Sequence, residues 1–491
     1  MTKSKNIDLD EIEKITYKEK LAYAFANLPG TFFGSVMGVI QSFYYAWMGL
    51  QWTWIVIAQI VYAVWNVVND PIFGNKINNT RYYNKKKGEY QRYMPYIKFG
   101  APIFSLAFAL VFFPPGIWRG EQELTIQVWM FIWYMVTQLA YDTMFTLVLC
   151  AHVALLPQMT LNQREREQTQ LLCSVFALPA ILIGFIVPVI FLADPTAESV
   201  LAFQFLVIGL AIFGVIPYLI LSSVVNEHSE HVPEKQTGLF ESLKLAFKNK
   251  SFIVYVIYDG VSVFIINILI VSLPFYLTWY LNTLPGFNPI LFWIGPILCL
   301  FISVYIELKI ADKISTKAAL TYSQGVLAIG FFFIFFASFT LNWVLVSIGF
   351  SIFMLAFSGD FIFHNPMRSD TIDWDELKVS GERREGLYAG IGPLLSKPMI
   401  SVALAIPPSV MAAFGLIYIE SAEGLVATQG LDMARLAVNI SIALIPGLVA
   451  LLGVLIWIKF YPLTGKVVKE MKIELLEIHK EKRKKLGQKK T

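Results

Sequence analysis

The chain alternates long apolar runs with short polar connections. Twelve runs are long enough to cross a hydrocarbon core of about 30 Å. They lie at roughly 21–47, 52–73, 97–115, 124–157, 171–193, 199–225, 251–281, 289–311, 318–341, 342–366, 387–417 and 434–462. The runs are unbroken, without the two-residue alternation of barrel strands, which predicts a helical bundle and excludes a β-barrel. Between 326 and 358 only Asn342 suggests the turn that separates the ninth run from the tenth.

Composition makes lipid the solvent. The 491 residues are 56% hydrophobic and only 15% charged, against about 45–50% and about 25% in soluble globular chains. Collagen, a disordered chain and a disulfide scaffold are excluded by the same figures. Cys150, Cys173 and Cys299 fall inside predicted spans without metal or disulfide spacing, and read as small packing residues. No zinc-type His motif, Gly-x-Ser-x-Gly elbow or Walker loop is present, so no enzyme is expected.

Charge placement sets the expected orientation. Thirty-five of the 39 Lys and Arg residues fall at the N-terminal segment, around the even-numbered connections or in the C-terminal tail; the others are Arg119, Lys397, Arg435 and Lys459. Both termini are therefore expected in the cytoplasm. The net charge of +4 describes loops facing anionic lipid, and no nucleic-acid partner is expected. Residues 1–20 form a polar N-terminal segment without a cleavable signal pattern, so the first run is expected to act as a signal-anchor in the cell membrane.

The stretch 226–250, with Pro233 and Gly238, reads as a linker between six-helix bundles at 21–225 and 251–462, followed by a basic tail at 463–491. The halves echo each other. Span two runs into Asn69-Asp-Pro-Ile-Phe-Gly74 and span eight into Glu307-Leu-Lys-Ile-Ala-Asp312; span four exits into Arg164-Glu-Arg-Glu167 and span ten into a loop with Glu382-Arg-Arg-Glu385. This is the pattern of a parallel duplication, as in transporters built from two bundles. In the tail, Val467, Val468, Met471, Leu475 and Ile478 share one helical face, which predicts a helix lying on the membrane surface.

Two segments carry a resemblance. Asn69-Asp-Pro-Ile-Phe-Gly74, Asn78-Asn-Thr-Arg81 and, after a basic stretch, Pro95 form the first. The second is Ser369-Asp-Thr-Ile-Asp373 through Gly381-Glu-Arg-Arg-Glu-Gly386, with Lys397 inside the next span. Together they resemble the signatures of the glycoside–pentoside–hexuronide cation symporters of the major facilitator superfamily, whose best-known member is the melibiose permease. The resemblance extends over essentially the whole chain. It implies an all-α membrane protein with 12 transmembrane helices in two pseudo-symmetric six-helix bundles. It further implies a secondary transporter moving a sugar, glycoside or similar small polar solute by alternating access, coupled to Na+ or H+, without a cofactor and as a monomer.

The residues support that reading on their own chemistry. Asp70 stands near the end of an apolar run, where a carboxylate is costly and usually faces a cavity and a partner. Arg81 and Arg164, with Asp373, Arg383, Arg384 and Glu385, are candidates for ion pairs that close a cytoplasmic gate; ordinary solvated loop charge is the alternative. Lys397 lies deep in an apolar run, where an unpaired ammonium costs about 2.5–3.5 kcal/mol. Its candidate partners are Asp70 and Asp142, and the resemblance implies that it bridges the halves at the cavity.

The sequence also departs from the family. Asn66 stands where a second helix-two Asp is expected, Gly30 and Thr31 replace a Lys-Asp pair, Leu149 and Val153 replace an Asp and a Trp of helix four, and Ser174 replaces an Arg. Asp142 is a candidate substitute for the helix-four acid. Asp70 with Asn66 and Thr31 offers one charge and neutral oxygens, a weaker sodium site than paired carboxylates; sodium, a proton and no coupling ion all stay open. The cavity is expected to draw on Gln41, Tyr44, Tyr45, Trp47, Gln59, Tyr62 and Trp65, with belt or lipid-facing positions as the alternative, and on His152, for which a packed core role is the alternative. Thr146-Leu-Val-Leu-Cys-Ala-His-Val153 is similar to the sodium-dependent lysophospholipid symporters, so an amphipathic lipid is a second substrate class. A transporter-like sensor is a third reading.

Overall fold

In a computed structural model, residues 14–85, 88–114, 123–192, 197–227, 238–419 and 424–490 are described. Residues 1–13, Arg119 and the 228–237 part of the linker lie outside them, as does the side chain of Trp47. The first half supplies α1 (Tyr17–Trp47), α2 (Trp52–Asn78), α3 (Met94–Val111), α4 (Leu124–Met159), α5 (Gln163–Leu192) and α6 (Ala197–Val224). A hairpin of β1 (Tyr82–Asn84) and β2 (Glu89–Gln91) joins α2 to α3, with Tyr83 opposite Tyr90. After α7 (Leu239–Lys248) come α8 (Lys250–Trp279), α9 (Pro289–Lys313), α10 (Thr316–Ser338), α11 (Trp343–Met354), α12 (Ser358–Lys378) and α13 (Glu385–Ala413). The hairpin of β3 (Leu416–Ile419) and β4 (Gly424–Ala427), then α14 (Leu431–Asn439), α15 (Ile445–Phe460) and α16 (Gly465–Lys490) complete the chain.

Among the described residues ten helical segments are long and apolar enough to cross a membrane. The helices α1 and α5 occupy the other two positions read as spans. Polar caps set several starts. The side chains of Asn249, Asn288, Ser315 and Asn342 each accept from backbone N–H groups in the first turn of α8, α9, α10 and α11. Asn342 is thus the break between spans nine and ten. Span ten is itself interrupted between Met354 and Ser358, and span twelve passes through a π-turn at Ile440–Leu444 between α14 and α15.

Contacts divide the chain into two compact units. One comprises Met1–Ala246, Ile372–Leu394 and Met471–Thr491, the other Phe247–Thr371 and Leu395–Glu470. Within the first, α2 packs on α4, α3 on α4, α3 on α6 and α1 on α6. Within the second, α9 packs on α11, α10 on α11, α10 on α15 and α8 on α15. Counted by span, these are the same four pairings, so the duplication seen in the charged loops is repeated in the helix packing.

The tail helix departs from expectation. Met471, Leu475 and Leu476 are buried, and so are the polar Lys472 and His479 on the same face. This face docks on the first unit through ion pairs described below, so Met471 and Leu475 of its apolar stripe are covered by protein, while Val467, Val468 and Ile478 are half-buried.

Candidate functional site

Two polar clusters occupy the first unit. The first lies between α2 and α4. Asn69 and Asp70 are buried on α2, Asp142 and Thr146 on α4. Thr146 donates its hydroxyl to Asp70 Oδ1 at 2.8 Å. Asn69 donates to Asp142 Oδ2, and the Tyr62 hydroxyl to Asp142 Oδ1 at 3.2 Å. Asn66 donates to Tyr62 at 3.2 Å, one turn earlier on the same helix. Trp65 donates its indole N–H to Thr143 at 3.1 Å, and Gln59 its amide to Tyr134 at 2.6 Å. Two carboxylates and a row of neutral oxygens and donors thus line one helix pair.

Pro71 follows Asp70 inside α2 and lacks the N–H that a helix uses at that step. One turn on, Gly74 is crossed closely by the start of α13. A side chain on Gly390 would strike the Asp70 carbonyl oxygen and, at 2.9 Å, the Gly74 Cα; one on Gly74 would meet the Gly386 carbonyl oxygen at 2.7 Å. Backbone on both sides leaves nothing soft to move. Gly390→Ala is expected to cost about 1–3 kcal/mol through overpacking, read as a lower Tm of the purified protein; an unchanged Tm would mean that α13 is free to shift away from Asp70.

The second cluster is made of charges. Asp373, fully buried, receives Arg166 Nη1 at 2.8 Å, Arg383 Nη2 at 2.9 Å and the Lys472 ammonium of the tail. Arg383 also meets Glu385 at 2.8 Å and Glu376 at 3.3 Å. Arg92 reaches Glu385 at 2.9 Å, and Arg384 reaches Asp375 at 3.2 Å. From the tail, His479 and Lys482 approach Glu376 at 3.0 and 2.8 Å. Burial alone would lower the pKa of Arg383; Asp373, Glu385 and Glu376 reverse this and hold it above its ordinary value. Glu227 closes the cluster on the side of α3, accepting from the backbone N–H groups of Arg92 at 2.6 Å and of Tyr93 and Met94 at 3.1 Å. Burial pushes its carboxyl above the ordinary value, against the pull of those amides and of Arg92.

Several expectations are corrected by this geometry. Arg81 is exposed and lies over the Tyr90 ring, whereas Arg92, beyond the hairpin, is the arginine paired with Glu385. Arg164 is exposed, and Arg166 carries the pair with Asp373. Thr31 donates its hydroxyl to the Asn27 carbonyl of its own helix at 3.0 Å, and is not brought to Asp70. His152 is buried, bonded at 3.0 Å to the Tyr23 carbonyl and stacked on the Tyr23 ring, so it is a packed core residue and not a cavity ligand. Tyr44 and Tyr45 likewise close the end of α3 by donating to the Phe112 and Val111 carbonyls. Gln41 is buried on α1, and Lys397 is half-buried on α13 in the second unit.

Residues 22–465 match the family described as MFS/sugar transport protein. The chain belongs to that family. It is a secondary transporter of the major facilitator superfamily and not an enzyme. Solved structures agree in fold. A bacterial homologue of the iron transporter ferroportin, in an outward-facing state, is 13% identical over 91% of this chain and 99% of its own, with a TM-score of 0.64. The proton:xylose symporter bound to 6-bromo-6-deoxy-D-glucose is 13% identical over 93% and 98%, with a TM-score of 0.55. The fucose:proton symporter of E. coli is 12% identical over 89% and 97%, with a TM-score of 0.53. At such identities the likeness is one of fold, and this MFS transporter is a multi-pass membrane protein by family and by its apolar helices.

Proposed function

We propose that this MFS transporter is a cation-coupled symporter of the glycoside–pentoside–hexuronide type, carrying a sugar, glycoside or similar small polar solute by alternating access. The observation that carries the reading is the pair of buried carboxylates, Asp70 and Asp142, held by Thr146, Asn69 and Tyr62 between α2 and α4. Acids at such depth are retained for ion or solute handling. Asn66 sits in the same network, so Asp70 and Asp142 together provide the charge that Asn66 lacks. Trp65, Tyr62 and Gln59 are proposed to supply the aromatic face and polar anchors that a sugar ring needs, and Lys397 on α13 is proposed as a further solute contact.

The buried charge cluster is proposed as the cytoplasmic closure, with both termini cytoplasmic in the cell membrane and the monomer as the working unit. Among the described residues no group of three or more His, Cys, Asp or Glu is placed to hold a metal ion. The test is solute uptake into proteoliposomes under imposed Na+ or H+ gradients, guided by a thermal-shift screen of sugars and lysolipids with and without sodium. Gradient-driven uptake of a sugar is expected. Stabilisation by lysolipids alone would move the substrate class to amphipathic lipids, and transport of nothing under any gradient would leave a sensor.

A further inference from the structure

The second unit holds a buried acid that the transport site does not use. Glu307 lies on α9 and is fully buried. The interruption of span ten brings the start of α12 against it. Ser303 and Ser358 are 2.7 Å apart, and Ser358 donates its hydroxyl to Glu307 Oε2, so the Ser303 proton points to Ser358 and the two form a chain ending on the carboxyl. On the other side Ser323 donates its hydroxyl to the Ala356 carbonyl, at 2.6 Å, so with that proton committed its oxygen stands beside Glu307 as an acceptor. A side chain on Gly359 would lie 2.9 Å from Glu307 Oε1 and 2.8 Å from Ser323 Cβ, so glycine is needed there for the acid to enter.

Charge neutralisation is missing. Among the described residues Glu307 makes no ion pair with Lys, Arg or His. The titratable groups facing it are Asp360 of α12 and Tyr322 of α10; α11, which also packs on α9, contains none. Asp360 accepts from Tyr258 and lies near His364, so it has its own partners. One hydroxyl and the Gly359 amide support a carboxylate at Glu307. A fully buried, unpaired carboxylate nevertheless takes up a proton in preference to paying its desolvation. A proton on Glu307 Oε1, the buried oxygen that has no hydrogen-bond partner, would find the Ser323 oxygen beside it as acceptor.

A metal cation fits less well. A hard cation takes each oxygen at about 2.3–2.6 Å and holds its ligands wider apart than hydrogen-bonded pairs, whereas Ser303 and Ser358 stand at 2.7 Å from each other. The arrangement also repeats the first unit: span two gives Asp70 to the Thr146 hydroxyl of span four, and span eight gives Glu307 to the Ser358 hydroxyl of span ten.

We propose that Glu307 is a proton-binding site of the second unit, occupied at neutral pH, and that this proton takes part in the transport cycle. Its use in the cycle rests on the cation-coupled reading above; the occupancy of the site does not. Infrared difference spectra of the full-length protein in lipid nanodiscs test the occupancy directly. At neutral pH the wild type is expected to show a protonated-carboxyl C=O band that Glu307→Gln lacks, and that band is expected to fade at alkaline pH and to ignore added Na+. Ser323→Ala, which removes the acceptor but keeps the acid, is expected to shift the fading to lower pH, and serves if Glu307→Gln fails to fold. A difference spectrum without such a band, a band abolished by Na+ at fixed pH, or no shift in Ser323→Ala would overturn the proposal. None of these readouts involves solute, so a failure of the symporter reading would show separately, in uptake.

Discussion

Asp373→Asn is expected to be the most destabilising conservative substitution in the charge cluster. The wild-type carboxylate is fully buried and receives Arg166, Arg383 and Lys472. Asn keeps the shape and removes the charge, so three buried cations lose their shared counter-ion. Breaking a buried ion pair from one side costs about 3–5 kcal/mol, because the remaining charge is left desolvated. Arg383 retains Glu376 and Glu385, and Arg166 retains the Thr160 and Pro157 carbonyls, so the loss falls within that range and not at a multiple of it. Removing Lys378 provides the contrast. Its pair with Glu474, at 3.4 Å, has both side chains about half exposed, and such surface pairs contribute about 0–1 kcal/mol. Thermal unfolding in detergent checks both. Equal, small shifts would show that the cluster is hydrated enough to release its charges freely.

The helical runs, the Asn342 turn and the kinship with the major facilitator superfamily were legible in the chain because each is a property of consecutive residues. The inward or outward aim of a charge is not. Arg164 and Arg166 stand two positions apart in α5, which turns them by about 200° on the helix; one must face out where the other faces in, and composition cannot say which. Arg81 and Arg92 are parted by the hairpin of β1 and β2, which the basic stretch concealed. The burial of Lys472 and His479 depends on Asp373 and Glu376, a hundred residues away in sequence, so the tail read as an amphipathic helix for the membrane surface. Asp259 and Asp360 are carboxylates inside apolar runs, the same signal that singles out Asp70 and Asp142. Glu307 reads in the sequence only as part of a charged loop, since the break in span ten that encloses it leaves no mark in hydropathy.

Asp70→Asn carries the largest expected effect on activity. Asn accepts the Thr146 hydroxyl through its amide oxygen as Asp does, so the local cost is about that of weakening one charge-assisted hydrogen bond, roughly 1 kcal/mol, and the protein is expected to fold and insert. What disappears is the titratable and cation-attracting charge. In proteoliposomes the variant is therefore expected to lose the response of solute uptake to an imposed Na+ or H+ gradient, while binding solute and exchanging it passively down its own gradient. Asp142→Asn separates the two acids. Asp142 accepts from both Asn69 and Tyr62, so an Asn there must turn its amide oxygen to one donor and face the other with N–H, disturbing the cluster as well as its charge. If Asp70→Asn retains full gradient-driven uptake and Asp142→Asn does not, the coupling charge belongs to α4, and Asp70 serves to hold Thr146 and the helix crossing at Gly74.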